Sequence, residues 1–405
     1  MSILNGKNIL LGISGGIAAY KSAFLVRLFI KSGADVQVLM TPSAKDFVTP
    51  LTLSTLSKRP VLSDFFNKEN QNELWNNHVD IALWADYIVI APATANTLSK
   101  MASARADNLL IATYLSSKCP VFFAPAMDLD MHKNKANKLN ISKLIEFGNI
   151  HIPVDSGFLA SGLEGEGRMQ EPNQIIEFIS SNILKEKKLF GKKVLITAGP
   201  TYESIDAVRF IGNFSSGKMG FALADRAAQL GAEVFLVTGP TSLSVKNNRI
   251  KSFKITTADE MFNITSELFL DMDISILSAA VSDYKPKKAT SKKIKKEKNT
   301  NLKIDLVSNI DILNHLGKIK KKNQLLIGFA LESENEIENA IKKINKKNLD
   351  AIVLNSLRDK GAGFNYDTNK ITFINNKNEI IKFKLKSKVD VSVDIFNEII
   401  NIKHE

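Results

Sequence analysis

One cysteine, Cys119, occurs in 405 residues. That scarcity excludes an internal disulfide framework and fits a reducing compartment. The residue sits in "KCPVFFAPAM" beside a predicted strand, where a small core residue is a plainer reading than a nucleophile. No run of about 18 uninterrupted apolar residues is present, so no transmembrane helix is predicted. The opening "MSILNGKNILLGISGGIAAYK" has an apolar run but no basic segment before it. It reads as a strand and turn rather than a signal peptide, and a cytoplasmic protein without a membrane partner is expected. Neither half has G-x-G-x-x-G after its first strand, which argues against a standard NAD site. Helix-turn-helix and zinc-finger spacings are missing too.

What is present is ordinary for a globular chain: 44% hydrophobic and 24% charged residues. The length exceeds what one core usually holds, so two domains are expected, with three as the alternative. The net charge of +12 comes largely from "KPKKATSKKIKKEK" (285–298), with eight lysines and one glutamate. No aromatics interleave it. It reads as a solvated loop, or as a loop folding over a polyphosphate; nucleic acid ranks third. Tyr284 and Lys288 match the Tyr-x-x-x-Lys of short-chain dehydrogenases, but Pro286 breaks the helix that pair needs, so the match is read as chance.

The halves begin alike. "GKNILLGISGG" starts at Gly6 and "GKKVLITAGPT" at Gly191. After each glycine-containing turn comes a helical segment, "IAAYKSAFLVRLFIKSG" or "SSGKMGFALADRAAQLG", ending at a glycine. A second strand follows in each. This is β-turn-α-β written twice, the start of two doubly wound α/β sheets. "YIVIAPAT" and "PVFFAPAM" extend the first sheet; "ISILSAAVSDY", "LLIGFAL" and "AIVLNS" extend the second. A polar stretch places the boundary near residue 188, giving domains 1–188 and 189–405. Beyond residue 365 a hairpin around "NNKN" and a last helix are expected. "DSGFLASGLEGEGRM" (155–169) carries four glycines and reads as a loop that closes over something.

Ligands of open α/β sheets bind at the carboxyl ends of strands. In the first half these ends are "GISGG" (12–16), "TPSA" (41–44), "APATANT" (91–97) and "APAMD" (124–128). Ser14, Gly15 and Gly16 offer backbone N–H groups and a hydroxyl to a phosphate, and Ser43, Thr94 and Asn96 add polar contacts to a cofactor. His78 opens a helix leading into "YIVIAPAT", which would bring its imidazole to the same edge. A histidine without a role is the bland alternative.

"SGGIAAYK", "NHVDIALWADYIVIAPATANTLSKMA", "APAMDLDM" and "GEGRM" resemble the flavin-dependent cysteine decarboxylases. "ITAGPTYESIDAVRFIGNFSSGKMG" and "SAAVSDYKP…KIKK" resemble phosphopantothenate–cysteine ligase. Together, in this order and over nearly the whole chain, they resemble the bifunctional coenzyme A biosynthesis family. The fold implied is a flavoprotein-type domain followed by a CTP-dependent ligase-type domain, both Rossmann-like.

For the ligase half, the resemblance implies that CTP, with Mg²⁺, activates the 4′-phosphopantothenate carboxylate as an acyl-CMP, which cysteine's amine then attacks. Asp283, Lys293, Phe329, Lys343, Lys347 and the run Ile310, Asp311, Ile312, Leu313 match nucleotide positions. "AGPT" (198–201) and "SSGKMG" (215–220) present N–H groups to phosphates. Asn213 matches the asparagine that turns over the acyl-cytidylate, and Arg209 a nearby functional arginine. The family's Asn-Pro-Asp-Ile reads Asn309-Ile310-Asp311-Ile312 here, and its Ile-Ser-Asn reads Ile211-Gly212-Asn213; both changes keep the polar residue.

For the first half, the resemblance implies FMN-dependent decarboxylation of 4′-phosphopantothenoylcysteine to 4′-phosphopantetheine, with His78 as base or orienter. Residues 155–169 match the substrate flap, with Ser161 where relatives carry the cysteine that protonates the enethiol. Asp128 stands where relatives carry an asparagine that contacts the substrate carboxylate. Those two changes leave an alternative open: an active ligase with an altered decarboxylase half, releasing enethiol or acting as a regulatory flavoprotein. The resemblance also implies trimeric flavin domains and dimeric ligase domains, small-molecule substrates and no nucleic acid.

Overall fold

The computed structural model describes residues 2–66, 75–295, 302–359, 361 and 366–403. The end of the lysine-rich stretch, 296–298, lies outside the described residues. Backbone contacts divide the chain into Met1–Ile183 and Leu184–Glu405.

In the first unit five short apolar runs pair in parallel: β1 (Asn8–Ile13), β2 (Asp35–Met40), β3 (Tyr87–Ala93), β4 (Val121–Pro125) and β5 (Ile150–His151). Their order is β2-β1-β3-β4-β5, so the chain reverses direction across the sheet between β1 and β3, where such folds open a crevice. All seven residues of β3 are buried, as a parallel strand covered on both faces requires. Alternate side chains feed two cores. Ile9, Leu11, Val36, Val38 and Val89 pack on Leu25, Val26 and Phe29 of one helix and on Ile175 and Ile179 of another. Leu10, Ile88, Ile90 and Phe123 face Leu98, Met101, Leu109 and Leu144. Each such side chain contributes roughly 1.5–3 kcal/mol by leaving water.

The expected loop at 155–169 is instead an antiparallel hairpin, β6 (Asp155–Phe158) with β7 (Glu164–Arg168). Glycine weakens a strand only by default. Here a cross-strand partner and the close packing described below outweigh its low propensity.

The second unit contains β8 (Lys193–Ala198), β9 (Tyr202–Ser204), β10 (Phe210–Gly212), β11 (Glu233–Thr238), β12 (Ile250–Lys254), β13 (Ile274–Leu277), β14 (Tyr284–Pro286), β15 (Leu306–Ser308), β16 (Leu325–Glu332), β17 (Ala351–Ser356), β18 (Thr368–Asn369), β19 (Ile371–Asn375), β20 (Ile380–Lys382) and β21 (Lys386–Ser387). One sheet runs β12-β11-β8-β13-β16-β17-β19-β20. It is parallel through β17, then antiparallel. β19 and β20 are the hairpin expected around "NNKN", and helix Lys388–Lys403 closes the chain. "ISILSAAVSDY" does not form one strand: β13 stops at Leu277 and β14 begins at Tyr284. Both sheet faces are again covered, one by helices Lys218–Gln229 and Lys388–Lys403, the other by Ala258–Phe269, Ile312–Ile319 and Glu336–Lys347. No helix among the described residues is long and apolar enough to cross a membrane.

Candidate active site

The turns after β1, β2, β3 and β4 enclose a cavity of about 530 Å³ lined by Gly15, Ser43, Thr94, Asn96, Lys100 and Asp107, among others. Four of these are residues singled out in the sequence. A Cβ on Gly15 would lie 2.4 Å from Ser43 Oγ, so only glycine lets the backbone pass there. Thr94 is the N-cap of helix Ala95–Ala102 and makes no side-chain cap bond, which leaves the first-turn N–H groups for another acceptor. Lys100 brings a cation, paired with Asp107 at 2.8 Å.

Ser14 is placed differently from expectation. It is buried and does not line that cavity. Its hydroxyl donates to the Pro92 carbonyl at 2.7 Å and accepts the Thr94 N–H at 2.9 Å. It therefore holds the two turns together instead of facing a ligand.

A second cavity, about 510 Å³, shares Ala126 and Met127 with the first and includes Gly16, Lys21, Asp128, Phe158 and Arg168. Along it, β7 lies close to the turn after β4. Met127 N–H donates to Gly167 O at 3.0 Å, and a Cβ at position 167 would meet Met127 O at 2.4 Å. Lys21, which sequence reasoning did not single out, is buried; its Nζ reaches Met169 O at 2.9 Å and Glu171 Oε1 at 2.8 Å. A lone lysine closing the apolar "GGIAAYK" was the available signal. The Lys21 hydrogen bond, with the charges of Lys21 and Arg168, holds the Glu171 carboxyl below its ordinary value against the opposing effect of burial. Asp128 makes no side-chain cap bond to the short helix after it. Ser161 is exposed at the hairpin tip, one residue past the lining formed by Phe158, Leu159 and Ala160.

His78 lines neither cavity. It opens helix His78–Trp84 between the edges of Phe65 and Trp75, whose centroids lie 6.2 and 6.0 Å away, and its Nδ1 is buried without a partner among the described residues. The expectation that it reaches the strand ends within one chain is not met. The physical reason is length: a seven-residue helix spans about 10 Å, whereas the strand it precedes runs about 23 Å, so the helix start falls short of the strand's far end.

In the second unit a cavity of about 230 Å³ gathers Asp283, the run Ile310–Leu313, Phe329 and Lys347. Lys347 Nζ meets Asp311 Oδ2 at 2.8 Å, and Asp311 Oδ1 accepts the Asn314 N–H at 3.0 Å to cap the next helix. Burial alone would raise the Asp311 carboxyl, but the bonds from Lys347 and Asn314 bring it below its ordinary value. Asn309, whose role sequence reasoning left open, donates its side-chain amide to Ser282 O and its N–H to Asp283 O, both at 2.8 Å. It thereby fixes the segment that carries Asp283. A smaller cavity, about 70 Å³, is lined by Ser215, Ser216, Gly217 and Lys218 and shares Phe329.

Four expected residues do not line the 230 Å³ cavity. Lys343 pairs with Glu332 at 2.5 Å. Asn213 is exposed and donates to the carbonyl of Val281, a cavity residue, at 2.9 Å. Arg209 is held by Asp206 through Nε at 3.1 Å and Nη2 at 2.6 Å. Lys293 is exposed on the lysine-rich loop.

Residues 2–184 match the Flavoprotein family model, and residues 189–402 match the model of the DNA/pantothenate metabolism flavoprotein C-terminal domain. The chain is 42% identical to the coenzyme A biosynthesis bifunctional protein CoaBC of Bacillus subtilis, over 98% of this chain and 97% of that one. It is 52% identical to a cysteine/cysteine sulfinic acid decarboxylase from an unknown prokaryotic organism, over 88% of this chain and all of the other. A crystal structure of the C-terminal domain of a CoaBC protein is similar at 40% identity and a TM-score of 0.46, covering 54% of this chain and 98% of that one. Two adjacent domain models and a relative aligned almost end to end leave one assignment: the chain belongs to the CoaBC family of bifunctional coenzyme A biosynthesis proteins.

Proposed function

We propose that residues 189–405 join 4′-phosphopantothenate to cysteine using CTP, and that residues 1–188 decarboxylate the resulting 4′-phosphopantothenoylcysteine to 4′-phosphopantetheine using FMN. The observation that carries this reading is the near-complete alignment with a bifunctional relative, over a chain that holds one strand-edge cavity system in each unit.

In the ligase unit Asp283, Phe329, Lys347 and Ile310–Leu313 take the nucleotide. The N–H groups opening helix Lys218–Gln229 and the hydroxyls of Ser215 and Ser216 suit phosphate oxygens. Lys293, Lys343 and Arg209 supply further positive charge near the triphosphate. Asn213 uses one amide hydrogen on Val281 O and has a second for the oxyanion that develops when cysteine attacks the acyl-CMP. Mg²⁺ would enter with the nucleotide phosphates, which is how this ion usually binds.

The residues of the first unit fit FMN: a backbone passage that a Cβ at Gly15 would block, a helix start, hydroxyls and one amide. When bound, FMN supplies hydride acceptance and return, which no side chain here can offer. Lys21 and Arg168, paired with the one carboxylate of Glu171 at 2.8 and 2.7 Å, bring two cations to the adjoining cavity, where they suit a substrate carboxylate. Asp128, in the same lining, is the residue we assign to hold the proton for the final reduction. We infer that His78 joins the site across a contact between copies of the chain. Ile17, Tyr20 and Phe24, spaced along one helical face and exposed, suit such self-association.

The deciding experiment is mass spectrometry of products from the purified chain given CTP, Mg²⁺, 4′-phosphopantothenate and cysteine. 4′-Phosphopantetheine and CMP are expected. Free cysteine and cysteine sulfinate belong in parallel reactions, since one relative bears their name. Carbon dioxide from those amino acids, with no pyrophosphate from CTP, would overturn the bifunctional reading.

A further inference from the structure

Asp206 lies in the turn between β9 and β10 and is buried. Its Oδ1 accepts the N–H groups of Val208 and Arg209, both at 2.8 Å. Its Oδ2 accepts Arg209 Nε at 3.1 Å, Arg209 Nη2 at 2.6 Å and the Ile294 N–H at 3.1 Å. The same Arg209 Nη2 also donates to Ile294 O at 2.8 Å. Both backbone groups of Ile294 are thus taken, one by the carboxylate and one by the guanidinium it orients. A third tie, Thr290 N–H to Ile205 O at 3.2 Å, fastens the loop four residues earlier. Lys293 directly precedes the clamped residue and is exposed.

Lysine-rich loops repel themselves and gain little from surface pairing, so something must hold this one near the turn. Burial alone would raise the Asp206 carboxyl, but the N–H groups of Val208, Ile294 and Arg209 and the Arg209 guanidinium outweigh it and keep it far below its ordinary value. The five hydrogen bonds it accepts all favour the anion.

We propose that Asp206 is a positioning residue of the ligase reaction, resting on the ligase reading above: it clamps the lysine-rich loop at Ile294 and so holds Lys293, together with Arg209, for the nucleotide. It contacts no substrate itself. A lysine on a tethered loop meets the triphosphate without the ordering cost that a free loop incurs on binding.

The test uses the full chain and reads CTP-dependent pyrophosphate release. Asp206→Asn keeps acceptor oxygen but loses the charge that orients Arg209. Ile294→Pro removes the clamped N–H, while also fixing φ there, and leaves Asp206 in place; it covers the case in which a change at buried Asp206 impairs folding. Each should raise the KM for CTP about tenfold, the size of one charge-assisted contact, with a smaller effect on kcat. Lys293→Ala should raise it similarly, and adding Ile294→Pro to Lys293→Ala should raise it no further, because the clamped N–H acts through Lys293. Trypsin should cleave after Lys292, Lys293 and Lys295 faster in Asp206→Asn, and after Lys292 and Lys295 faster in Ile294→Pro, whose Lys293–Pro bond it does not cut. An unchanged KM in both clamp variants, or effects that multiply in the double variant, overturns the role. Wild-type failure to release pyrophosphate counts instead against the ligase reading itself, and an unchanged trypsin pattern against the clamp.

Discussion

Gly167 accepts the Met127 N–H at 3.0 Å, so the flap strand and the turn after β4 meet backbone to backbone. A methyl group at position 167 would sit 2.4 Å from Met127 O, and its φ of 135° is one that side-chain-bearing residues rarely adopt. Gly167→Ala should therefore push β7 away from the 510 Å³ cavity. We expect decarboxylation to fall by at least about tenfold, as misplacement of substrate-holding groups does, while pyrophosphate release from CTP is unchanged. Equal loss of both activities would mean that the substitution unfolds the chain.

Asn213→Asp should stall the ligase after activation. The new carboxylate faces the Val281 carbonyl and repels the oxyanion that the amide would stabilise. Cysteine addition should slow by about 10²–10³, the effect of losing one oxyanion donor, and acyl-CMP should accumulate in a quenched reaction. Ligation at the wild-type rate would remove the role given to this residue.

Asp311→Asn retains a helix-capping oxygen but loses the ion pair with Lys347. The folded carboxyl lies below its unfolded value, so its contribution is present above the unfolded pKa of about 3.9 and fades as pH falls through the lower, folded one. Wild type should be more stable than Asp311→Asn at pH 7, by up to about 1 kcal/mol for a partly exposed pair. The difference should close below about pH 4. Denaturant unfolding of both proteins at pH 7 and pH 3 measures it, and a gap that widens in acid contradicts the assignment.

Ser161 is exposed beyond the cavity lining, whereas Asp128 belongs to it. A serine hydroxyl is also a far weaker acid than a thiol of pKa about 8.5. Ser161→Ala should consequently leave the ratio of 4′-phosphopantetheine to enethiol unchanged, and Asp128→Asn should shift it toward enethiol. Chromatography of single-turnover products reads both. Full reduction by Asp128→Asn would place the proton donor elsewhere.

Much of the fold was legible because it is local. Strand, glycine turn, helix and strand recur in the stretches from Gly6 to Met40 and from Gly191 to Thr238, and buried parallel strands need continuous apolar runs that are visible in one dimension. The strand ends gave Gly15, Ser43, Thr94 and Asn96 for the same reason. What stayed hidden depends on distant partners. The Ser14 hydroxyl is taken by residues 92 and 94, Lys21 by 169 and 171, and Asp206 by 294. No periodicity encodes such bonds. Local rules misread the flap, because glycine's weak strand preference ignores a neighbour so close that no side chain fits. For His78 they identified a helix start and overestimated how far it extends.

Among the described residues, the larger sheet ends in two short edge strands, β12 with Lys251 and Lys254, and β20, whose three residues are all exposed and end on Lys382. Lys384 follows two residues later. An unpaired strand is a template on which another chain can add, and closely spaced lysines are among the devices that discourage this. Part of the basic excess first attributed to one loop therefore stands where the sheet would otherwise invite fibrous stacking. Neutralising Lys382 and Lys384, both exposed, would cost little in folding but open a route to aggregation.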